Sequence, residues 1–526
     1  MGTVAILAAG YGKRSGLKYN KALVKIGDKA AISHIIDYFP LNYEFVIALG
    51  YMGDAVEQYL KIAHSNRKFT FVETEVFDAG PAWALQQCYH YLFDKPFHLW
   101  CCDTIVHKFE QLDEEKNWIG IRYTKNTQDY STALLGDEEM VEKFIEKGHE
   151  DATEYAYIGC AYIKDYEDFW KGLKEKPVVL NGESMVSAGF KPLIDKQTLS
   201  SRHFLWFDIG TKEGIAEARQ YFKSKVENLN KEDEEIYFIN NKVVKFFTNE
   251  EVCRKRIERA GNLGRGLVPQ PTYFPGKTNS KLHVYGYHFV NGQDLFSISN
   301  PQDYLMDLLN FSLGTIWERK KTLEKSKVDL ICYKFYKQKT EDRLKLYYKQ
   351  TSSVDEEETV NGQKLPKLST MLDGIDWKWL TDSHPCTFHG DFNFSNILLT
   401  PENKFMFIDW RQDFGGLTDC GDAYYDLAKM YSGFMFVHDI VKQGKFKINK
   451  TQNVIDFSSE IPYRIELCTK IFQKFLKVNE FDEKKVKTLA AIVLLNMSPL
   501  HEPPLNVYLY YLGKYLLWET TCSPVT

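Results

Sequence analysis

The chain has 526 residues, which is too long for one ordinary hydrophobic core and predicts two or three domains. A composition of 44% hydrophobic and 26% charged residues is typical of a folded globular protein. The net charge of −5 argues against binding to nucleic acid, which normally needs a basic face. The sequence shows no spacing typical of a structural zinc site, no signal peptide and no apolar run long enough to cross a bilayer. We therefore expect a soluble, cytoplasmic protein without membrane insertion.

The first 220 or so residues alternate short β-rich runs with amphipathic helical runs. The predicted strands are Thr3–Ala8, Glu44–Leu49, Lys68–Glu73 and Phe97–Cys102, and the predicted helices are Ala31–Tyr38, Asp54–His64 and Pro81–Leu92. This alternation predicts an α/β domain with a parallel sheet covered by helices on both faces. Ligands of such sheets bind at the carboxyl ends of the strands.

A polar stretch, Lys223–Glu235, then interrupts the alternation and is the predicted domain boundary. Two strand-like runs follow, Glu235–Asn240 and Lys242–Phe247, and the turn signal Asn240-Asn241 lies between them. A charged helix comes next. The order predicts a small lobe that contains a sheet.

Long helical patterns dominate after Asn300, and one β-rich core at residues 386–410 breaks them. The polar stretch Thr351–Lys367 is predicted to be a loop. A small sheet followed by a large helical lobe is typical of a kinase-like fold.

The first strand ends in a candidate triphosphate cradle. Ala8 ends the strand and Gly10 and Gly12 follow, so the backbone can approach phosphates closely and point N–H groups at them. Arg14 and Lys21 then supply fixed positive charge for phosphates that leave as pyrophosphate. The spacing of these residues, directly after a buried strand, predicts a nucleotide site.

This pattern resembles the sugar-nucleotidyltransferase superfamily, whose signature is Gly-x-Gly-x-Arg followed by Pro-Lys. The run Asn20–Ile26 is similar to the phosphocholine cytidylyltransferases of bacterial surface-glycan pathways, although Asn20 stands where most members carry Pro. The resemblance implies a Rossmann-like mixed sheet, and Arg14 and Lys21 as catalytic residues. It also implies transfer of a nucleotidyl group to a phosphate with release of pyrophosphate.

Further residues fall in the order of that superfamily. The resemblance implies that Asp103 and Asp208 hold Mg²⁺, that Glu146 and Lys147 contact the acceptor, and that Gly80 lies in the segment that recognises the base. Other interpretations stay open, because Asp103 is also a plausible helix N-cap and a Glu-Lys pair is often a solvated surface pair.

The second motif is the run His389–Leu399, followed by Phe405–Trp410. Phosphoryl transfer to a hydroxyl needs a carboxylate beside the attacking oxygen and metal ligands beside the phosphates. Asp391 and Asn396 lie five residues apart on one loop, where they can face the nucleophile and Mg²⁺ respectively. Asp409 ends an apolar strand and can hold the metal as well.

The second motif resembles the aminoglycoside phosphotransferase and choline kinase superfamily, whose core reads His-Gly-Asp-x-x-x-x-Asn and then Ile-Asp. The resemblance implies that Asp391 is catalytic and that Asn396 and Asp409 hold Mg²⁺. The run Gly421–Ala428 is similar to a helix start of that superfamily and is expected to lock the catalytic loop. His389 is expected to orient the loop and not to act as a base.

The upstream half of this region matches the superfamily more loosely. Lys245 is similar to the lysine that binds the α- and β-phosphates, and Glu258, in preference to Glu251, is expected to be its acidic partner on the next helix. The run Tyr285–Val290 is placed like the hinge that receives adenine. No Gly-x-Gly-x-x-Gly precedes Lys245 and no Ala-Pro-Glu segment follows, which argues against a protein kinase.

Together the motifs predict a nucleotidyltransferase domain at residues 1–228 and a bilobal, protein-kinase-like α+β domain at residues 229–526, with lobes at about 229–290 and 291–526. The fusion suggests consecutive steps. ATP phosphorylates a small alcohol, and a second nucleoside triphosphate, with CTP favoured, then activates the phosphate ester for a capsule or lipopolysaccharide. A sugar or polyol substrate stays open beside choline and ethanolamine, and so does one inactive domain that serves as a binding module.

Overall fold

The computed structural model describes residues 2–10, 19–77, 79–107, 112–175, 177–224, 234–277, 280–318, 324–437 and 443–521. The chain forms two compact units. The first contains Met1–Glu250 and Thr272–Phe289, and the second contains Glu251–Pro271 and Val290–Thr526. Within the described residues, no helix is both long enough and apolar enough to cross a membrane.

The strands of the first unit are β1 (Thr3–Ala8), β2 (Lys25–Ile26), β3 (Lys29–Ala30), β4 (Glu44–Leu49), β5 (Lys68–Glu73), β6 (Phe97–Cys101), β7 (Thr104–Val106), β8 (Asn117–Tyr123), β9 (Thr132–Leu135), β10 (Val141–Ile145), β11 (Tyr155–Ile163), β12 (Val178–Leu180), β13 (Glu183–Met185), β14 (Leu199–His203), β15 (Trp206–Asp208), β16 (Glu234–Ile239), β17 (Lys242–Phe247), β18 (Thr272–Tyr273) and β19 (His283–His288). Its helices are α1 (Ala31–Tyr38), α2 (Gly53–Ala63), α3 (Pro81–Gln87), α4 (Tyr166–Glu175), α5 (Ser187–Asp195) and α6 (Lys212–Tyr221).

A nine-stranded mixed sheet forms the main layer of the first unit, in the order β10-β9-β11-β6-β1-β4-β5, with β8 and β14 attached through β11. The four strands predicted from the sequence, β1, β4, β5 and β6, pair in parallel. β11 runs antiparallel to β6, which makes the sheet mixed. All six residues of β1 are buried, as expected of a central strand covered on both faces. The predicted α/β class with a mixed sheet is confirmed.

A second, four-stranded sheet also belongs to the first unit, in the order β16-β17-β19-β18. Its side chains Tyr237 and Val244 share a hydrophobic core with Val4 and Tyr59, and Tyr237 Oη donates to Leu23 O at 2.5 Å. This sheet is the small lobe that the sequence assigned to the second domain. In the structure this sheet packs within the first unit. The boundary between residues 228 and 229 therefore remains a prediction of where the two sequence families meet.

The strands of the second unit are β20 (Gln293–Asp294), β21 (Glu358–Val360), β22 (Gln363–Leu365), β23 (Pro385–Cys386), β24 (Ile397–Leu399), β25 (Phe405–Phe407), β26 (Gly421–Asp422), β27 (Phe446–Thr451) and β28 (Val454–Ser459). Its helices are α7 (Glu250–Leu263), which starts at the unit boundary, α8 (Gln302–Leu313), α9 (Lys325–Tyr333), α10 (Lys339–Thr351), α11 (Leu368–Asp373), α12 (Trp377–Leu380), α13 (Ala423–Met435), α14 (Tyr463–Val478), α15 (Glu483–Met497) and α16 (Leu505–Thr521).

Helices dominate the second unit, and short strands flank the residues of the second sequence motif. β24 pairs with β20 and β25 in a three-stranded sheet, and β23 pairs with β26. One hydrophobic core joins these strands to helices α13, α14, α15 and α16. A π-helical turn, Lys334–Gln338, links α9 to α10.

The prediction of a loop at Thr351–Lys367 is wrong in its second half. β21 and β22 form an antiparallel hairpin there, and β21 also pairs in parallel with β28. Asn361 and Gly362 make the turn with φ of 46° and 77°. Asn-Gly is a strong hairpin signal because both residues tolerate positive φ, but the polar strands on either side lacked an apolar alternation.

Candidate active sites

The first candidate site lies where neighbouring strands of the large sheet end. β1 pairs in parallel with β6, so Ala8 and the residues that follow β6 lie at the same edge. Asp103 follows β6. Asp208 ends β15, which pairs antiparallel with β7 so that Asp208 lies opposite Thr104. The backbone N–H of Ile209 donates to Asp103 O at 2.9 Å, which fixes the two aspartate-bearing segments beside each other.

Two carboxylates and one lysine converge at this edge. Lys21 Nζ lies 2.7 Å from Asp103 Oδ2. Asp208 accepts a hydrogen bond from Tyr130 Oη at 3.1 Å and from the Gly210 N–H at 2.8 Å. A Cβ on Gly210 would lie 2.9 Å from Asp208 Oδ1, 3.3 Å from Asp103 Oδ2 and 3.6 Å from Lys21 Nζ. A side chain at Gly210 would therefore crowd the Asp208 carboxylate.

The cradle suits a divalent cation. Burial raises the pKa of Asp208, and the nearby Asp103 carboxylate raises it further. Two carboxylates held this close fit Mg²⁺, which prefers oxygen ligands, and a bound Mg²⁺ would place positive charge beside nucleotide phosphates. Within the described ranges, no cluster of three or more His, Cys, Asp or Glu residues is placed to hold a metal ion.

Asn20 stands at a position where the sequence resemblance implies proline, and it holds the loop that carries Lys21. Asn20 is fully buried, and its Nδ2 donates to Ala8 O at 2.9 Å and to Tyr51 O at 2.7 Å. Its Oδ1 accepts from the Ala22 N–H at 2.9 Å. The side chain therefore ties the end of β1 and the turn after β4 to the short helical turn of Lys21, and the substitution has a structural use.

Of the residues predicted to form the triphosphate cradle, Ala8 is buried at the end of β1 and Gly10 borders open space, because a Cβ there would meet no atom within 4 Å. Gly12 and Arg14 lie outside the described residues. The roles of all four in nucleotide binding remain predictions.

The predicted acceptor residues lie on the loop after β10. Glu146 accepts hydrogen bonds from Ser131 Oγ at 2.9 Å and from Ser187 Oγ, and Lys147 is half-buried beside it. Tyr130, next to Ser131 in the chain, bonds to Asp208, so one short segment joins the acidic cradle to Glu146. This arrangement is compatible with acceptor contact, which remains a prediction.

Gly80 has a structural reason to be glycine. Its φ is 95°, and a Cβ would lie 2.5 Å from the backbone N of Ser184, whose N–H donates to Ala79 O at 2.8 Å. The close approach of β13 requires glycine here. Contact between Gly80 and a base remains a prediction.

The second candidate site is the loop between β23 and β24. Asn396 Nδ2 donates to Asp391 Oδ2 at 3.0 Å and to Asp391 O at 2.9 Å, so the predicted base and the predicted metal ligand contact each other. The Ile408 N–H donates to Asn396 O at 2.9 Å, which brings Asp409 to the same place. The structure thus brings together the three residues of this motif that the sequence predicted.

A buried carboxylate anchors the catalytic loop. Asp426 on α13 accepts hydrogen bonds from the backbone N–H groups of His389 and Gly390, both at 2.7 Å, and from Trp317 Nε1 at 3.1 Å. Burial raises the pKa of Asp426 to about 6, although these donors oppose the shift. Asp422 caps α13 through the Tyr424 N–H at 3.2 Å. The prediction that this helix start locks the loop is confirmed.

His389 orients the loop as a neutral side chain. Its Nδ1 accepts from the Asp391 N–H at 3.2 Å, so Nε2 carries the proton and donates to Ile408 O at 2.9 Å. Burial lowers the pKa of His389 to about 4, so the ring does not gain a charge near neutral pH. These contacts are compatible with the expected orienting role of His389, which remains a prediction.

Lys429, one turn after Asp426 on α13, pairs with the predicted catalytic base. Its Nζ lies 2.8 Å from Asp391 Oδ1. Burial acts to raise the pKa of Asp391, but the attraction of Lys429 outweighs it and the pKa is lowered. Asp391 is therefore ionised and ready to accept a proton.

Asp409 lies in the left-handed region with φ 55°, which aims its carboxylate out of the strand direction. Its Oδ1 accepts from Arg256 Nη1 at 2.8 Å, and Arg256 is buried on α7. Since Asn396 uses Nδ2 on Asp391, its Oδ1 is the amide atom suited to a cation. Carboxylate and amide oxygens are ligands that Mg²⁺ accepts, so the pair fits the predicted metal.

Lys245 has an acidic neighbour within its own sheet. Lys245 lies 3.2 Å from Glu234 on the neighbouring strand β16, and the two side chains are only 3% and 6% exposed. Glu258 pairs with Arg254 at 3.2 Å and accepts from Thr418 Oγ1 at the surface of α7. Within the first unit, the antiparallel pairing of β16 and β17 brings Glu234 to Lys245. The pairing of Lys245 with Glu258 stays a prediction. Binding of nucleotide by Lys245 and Glu258 remains a prediction.

Sequence reasoning missed several side chains of the two sites. Tyr130, Arg256 and Lys429 contact the predicted aspartates, and none lies in a recognised motif. Lys429 had one available signal, because it follows Asp426 by three residues and so shares its helix face.

Residues 338–443 match the phosphotransferase enzyme family, abbreviated APH. Three solved structures are similar to the N-terminal part. A UDP-glucose pyrophosphorylase complexed with UDP-glucose has 18% identity and a TM-score of 0.39, and the match covers 42% of this chain and 98% of that chain. A putative glucose-1-phosphate thymidylyltransferase from Bacillus anthracis has 18% identity and a TM-score of 0.37, covering 43% and 98%. A UTP-bound UGPase from Acinetobacter baumannii has 12% identity and a TM-score of 0.36, covering 42% and 93%.

No curated protein matches the chain at a significant level. The family match agrees with the sequence resemblance of the second motif. Residues 338–443 are therefore similar to the phosphotransferase enzyme family.

Proposed function

We propose that this protein is a bifunctional enzyme that phosphorylates a small hydroxyl compound with ATP and then transfers a nucleotidyl group onto the new phosphate. The observation that supports the proposal is a cluster of carboxylates with a lysine in each of the two units. One has a carboxylate base, Asp391, fixed beside Asn396. The other has two carboxylates and Lys21 around an open cradle at Gly210.

The kinase step follows from the contacts of Asp391. The acceptor hydroxyl gives its proton to the Asp391 carboxylate, its oxygen forms a bond to the γ-phosphorus of ATP, and the bond to the bridging oxygen breaks so that ADP leaves. Asn396 and Lys429 each contact one oxygen of the Asp391 carboxylate, and these two contacts fix its orientation. Asp426 fixes the backbone of the same loop. Mg²⁺ bound by Asn396 and Asp409 would neutralise charge on the phosphates.

The nucleotidyl transfer step uses the product of the first. An oxygen of the new phosphate ester attacks the α-phosphorus of a second nucleoside triphosphate, and pyrophosphate leaves with the bridging oxygen. Lys21 supplies positive charge next to Asp103, and Asn20 holds its loop in place. The product is a nucleoside diphosphate conjugate of the acceptor.

The finer assignments rest on sequence resemblance. CTP is the proposed second nucleotide, because the run Asn20–Ile26 is similar to that of phosphocholine cytidylyltransferases. A product of this type is an activated donor, and the class of reaction that consumes it is transfer to a growing surface glycan such as a capsule or lipopolysaccharide.

A mass-spectrometric product screen tests the proposal. Purified full-length protein, MgCl₂ and ATP are incubated with CTP, UTP, GTP or dTTP in turn, against amino alcohols, polyols, hydroxy acids and free sugars. The proposal predicts a phosphorylated acceptor with ATP alone and a nucleotide conjugate once the correct second nucleotide is present. A phosphorylated acceptor that no nucleotide converts further would contradict the coupling of the two sites.

A further inference from the structure

Four basic side chains lie beside the catalytic loop of the second site, and none of them belongs to a motif recognised in the sequence. They are Lys339 and Arg343 on α10, Arg411 after β25, and Lys429 on α13, and we call them the basic cluster. Lys429 lies on the catalytic base itself, 2.8 Å from Asp391 Oδ1. Arg411 joins the loop through its backbone N–H, which donates to His389 O at 3.0 Å. The basic cluster therefore adjoins the place where the acceptor hydroxyl must lie.

One aromatic ring supports two members of the basic cluster. Lys339 Nζ lies 4.1 Å from the centroid of the Phe335 ring, and Arg411 Cζ lies 5.1 Å from the same centroid. Phe335 is buried against Phe414, with ring centroids 4.6 Å apart. Phe335 lies in the π-helical turn Lys334–Gln338, and Lys339 follows it directly. Such turns are rare and are frequent at functional sites, because they re-aim side chains that a regular helix would place elsewhere.

The basic cluster lacks matching negative charge. Lys429 has Asp391 as its partner, but the other nearby acid, Asp413, is ion-paired with Lys255 at 2.9 Å. For the remaining three members, the described part of the chain provides no carboxylate within ion-pairing distance. Arg411 Nε bonds only to the backbone O of Asp413, at 3.0 Å. Cations gathered without counter-charge destabilise a fold, so they are kept where a ligand supplies the charge.

The electrostatics of Lys339 agree with this interpretation. Burial lowers the pKa of Lys339 to about 7, and Arg411, Arg343 and Lys429 lower it by repulsion, while Asp413 alone opposes them. Burial and Arg411 also lower the pKa of Arg343. Both pKa shifts indicate that the positive charges lie close together and are partly shielded from water.

We propose that the acceptor phosphorylated beside Asp391 carries an anionic oxyacid group, a carboxylate or a phosphate, which Lys339, Arg343 and Arg411 bind. This inference rests on the proposed kinase function and specifies its substrate class. The guanidinium group of arginine suits both ligands, because a carboxylate and a phosphate can each present two oxygens to its N–H donors. A quaternary ammonium such as choline meets repulsion at this place.

The proposed reaction transfers the γ-phosphoryl group of ATP to a hydroxyl of an acceptor that already carries an anionic group. The hydroxyl oxygen bonds to the γ-phosphorus, ADP leaves with the bridging oxygen, and Asp391 takes the hydroxyl proton. The anionic group takes no part in bond making. It anchors the acceptor on the basic cluster and so fixes which hydroxyl meets Asp391.

The test compares acceptors that differ mainly in one charged group. Full-length protein with MgCl₂ and ATP is supplied with glycerate, glycerol 3-phosphate, glycerol or choline, and phosphorylated product is measured by phosphorus NMR and mass spectrometry. We expect kcat/KM for glycerate or glycerol 3-phosphate to exceed that for glycerol by about 10-fold to 100-fold, and choline to be the poorest. The two anionic compounds distinguish carboxylate from phosphate. Preference for glycerol or choline overturns the inference and leaves the kinase function intact, whereas no product from any acceptor contradicts the kinase function itself.

Substitutions locate the effect. Lys339→Met and Arg343→Gln should each raise KM for the preferred anionic acceptor by about 10-fold or more, with KM for ATP unchanged. Lys339→Arg should retain the preference. Lys337→Met is the matched control, because Lys337 lies in the adjacent turn but points to Tyr333 and Trp377. A rise in KM for ATP in place of the acceptor would assign the basic cluster to the nucleotide and overturn the proposal.

The pH dependence gives an independent measurement. Lys339 binds an anion in its protonated form, so KM for the anionic acceptor should rise as pH rises through about 7, the pKa of Lys339. The charged groups that act on Lys339 are Arg411, Arg343 and Lys429, which lower its pKa, and Asp413, which raises it. Lys339→Met should remove the dependence, and an unchanged profile in that variant would show that another group titrates.

Discussion

The two candidate sites are both proposed to bind phosphates, and they differ in the charged side chains that surround their aspartates. Around Gly210 the first site gathers two carboxylates and one lysine, and the pKa of Asp208 is raised because negative charge is crowded and buried. Around Asp391 the second site gathers four cations, and the pKa of Lys339 falls to about 7 because positive charge is crowded and buried. In each site, the sign of the crowded charge indicates the charge of the ligand that would balance it. The first suits a divalent cation, and the second suits an anion.

The loops of the two sites are held by the same kind of device. In the first, the neutral amide of Asn20 bonds to two backbone carbonyls and one N–H. In the second, the carboxylate of Asp426 bonds to two backbone N–H groups. In both sites a buried side chain bonds to the backbone groups around it and so fixes the loop. Lys21 and Asp391 therefore do not have to hold their own loops in place.

The largest effect is expected at the catalytic carboxylate. Asp391→Asn removes the group that accepts the hydroxyl proton, so the rate of ADP release should fall by about 10²-fold to 10⁴-fold. Nucleotidyl transfer to a phosphorylated acceptor supplied separately should continue at the wild-type rate. A fall of less than about 10-fold would show that Asp391 does not act as the base.

The next test compares a buried lysine that has an acidic partner with the basic cluster, whose charge is proposed to be balanced by a ligand. Glu234→Ala leaves Lys245 buried without its acid, so the free energy of unfolding should fall by about 3–5 kcal/mol. Glu258→Ala is the matched control. Because Glu258 is 44% exposed, the loss there should be within about 1 kcal/mol. Denaturant unfolding followed by circular dichroism measures both, and equal losses would contradict the larger contribution expected of Glu234.

Removal of Lys339 should have the opposite sign. Lys339→Met deletes an uncompensated buried charge, so the free energy of unfolding should rise by an amount on the order of 1–4 kcal/mol at neutral pH. The pKa of Lys339 is about 7 in the folded protein and about 10.4 when unfolded, so the unfolded state binds more protons between these values. Wild-type stability should therefore increase as pH rises from about 7 to about 10, and Lys339→Met should lose this contribution. A destabilised variant would mean that Lys339 has a partner in the folded chain.

The smallest effect tests the acidic cradle. Gly210→Ala places a methyl group 2.9 Å from Asp208 Oδ1, so the carboxylate must move and nucleotidyl transfer should slow by about 10-fold to 100-fold. Gly261→Ala is the control, because its Cβ would meet nothing within 4 Å on helix α7. That change should leave the transfer rate unaltered and stabilise the helix by about 0.5–1 kcal/mol. Equal rates in both variants would contradict a role for the cradle.

Local patterns predicted the buried part of the first unit well. β1, β4, β5 and α1 begin and end at the predicted residues, because each carries one clear apolar periodicity. The hairpin of β21 and β22 was missed, since its strands are polar and their stability comes from pairing with β28.

Site residues divide in the same way. Those within contiguous motifs, such as Asp391 and Asn396, come together as the sequence predicted. Glu234 and Lys339 were not foreseen, because their roles depend on strand pairing and on a π-helical turn that no local pattern announces. Charged residues on helices are mostly solvated, so sequence alone gives Lys339 and Arg343 no distinction from their neighbours.

The central claim, that the two sites act in sequence on one molecule, is tested most directly by two single variants used apart and together. With ATP, CTP and the preferred acceptor, Asp103→Asn should stop at the phosphorylated acceptor, and Asp391→Asn should form no product. A mixture of the two variants should restore the nucleotide conjugate, detected by mass spectrometry. Formation of the conjugate by either variant alone, or a mixture that accumulates only phosphorylated acceptor, would contradict the two-step account.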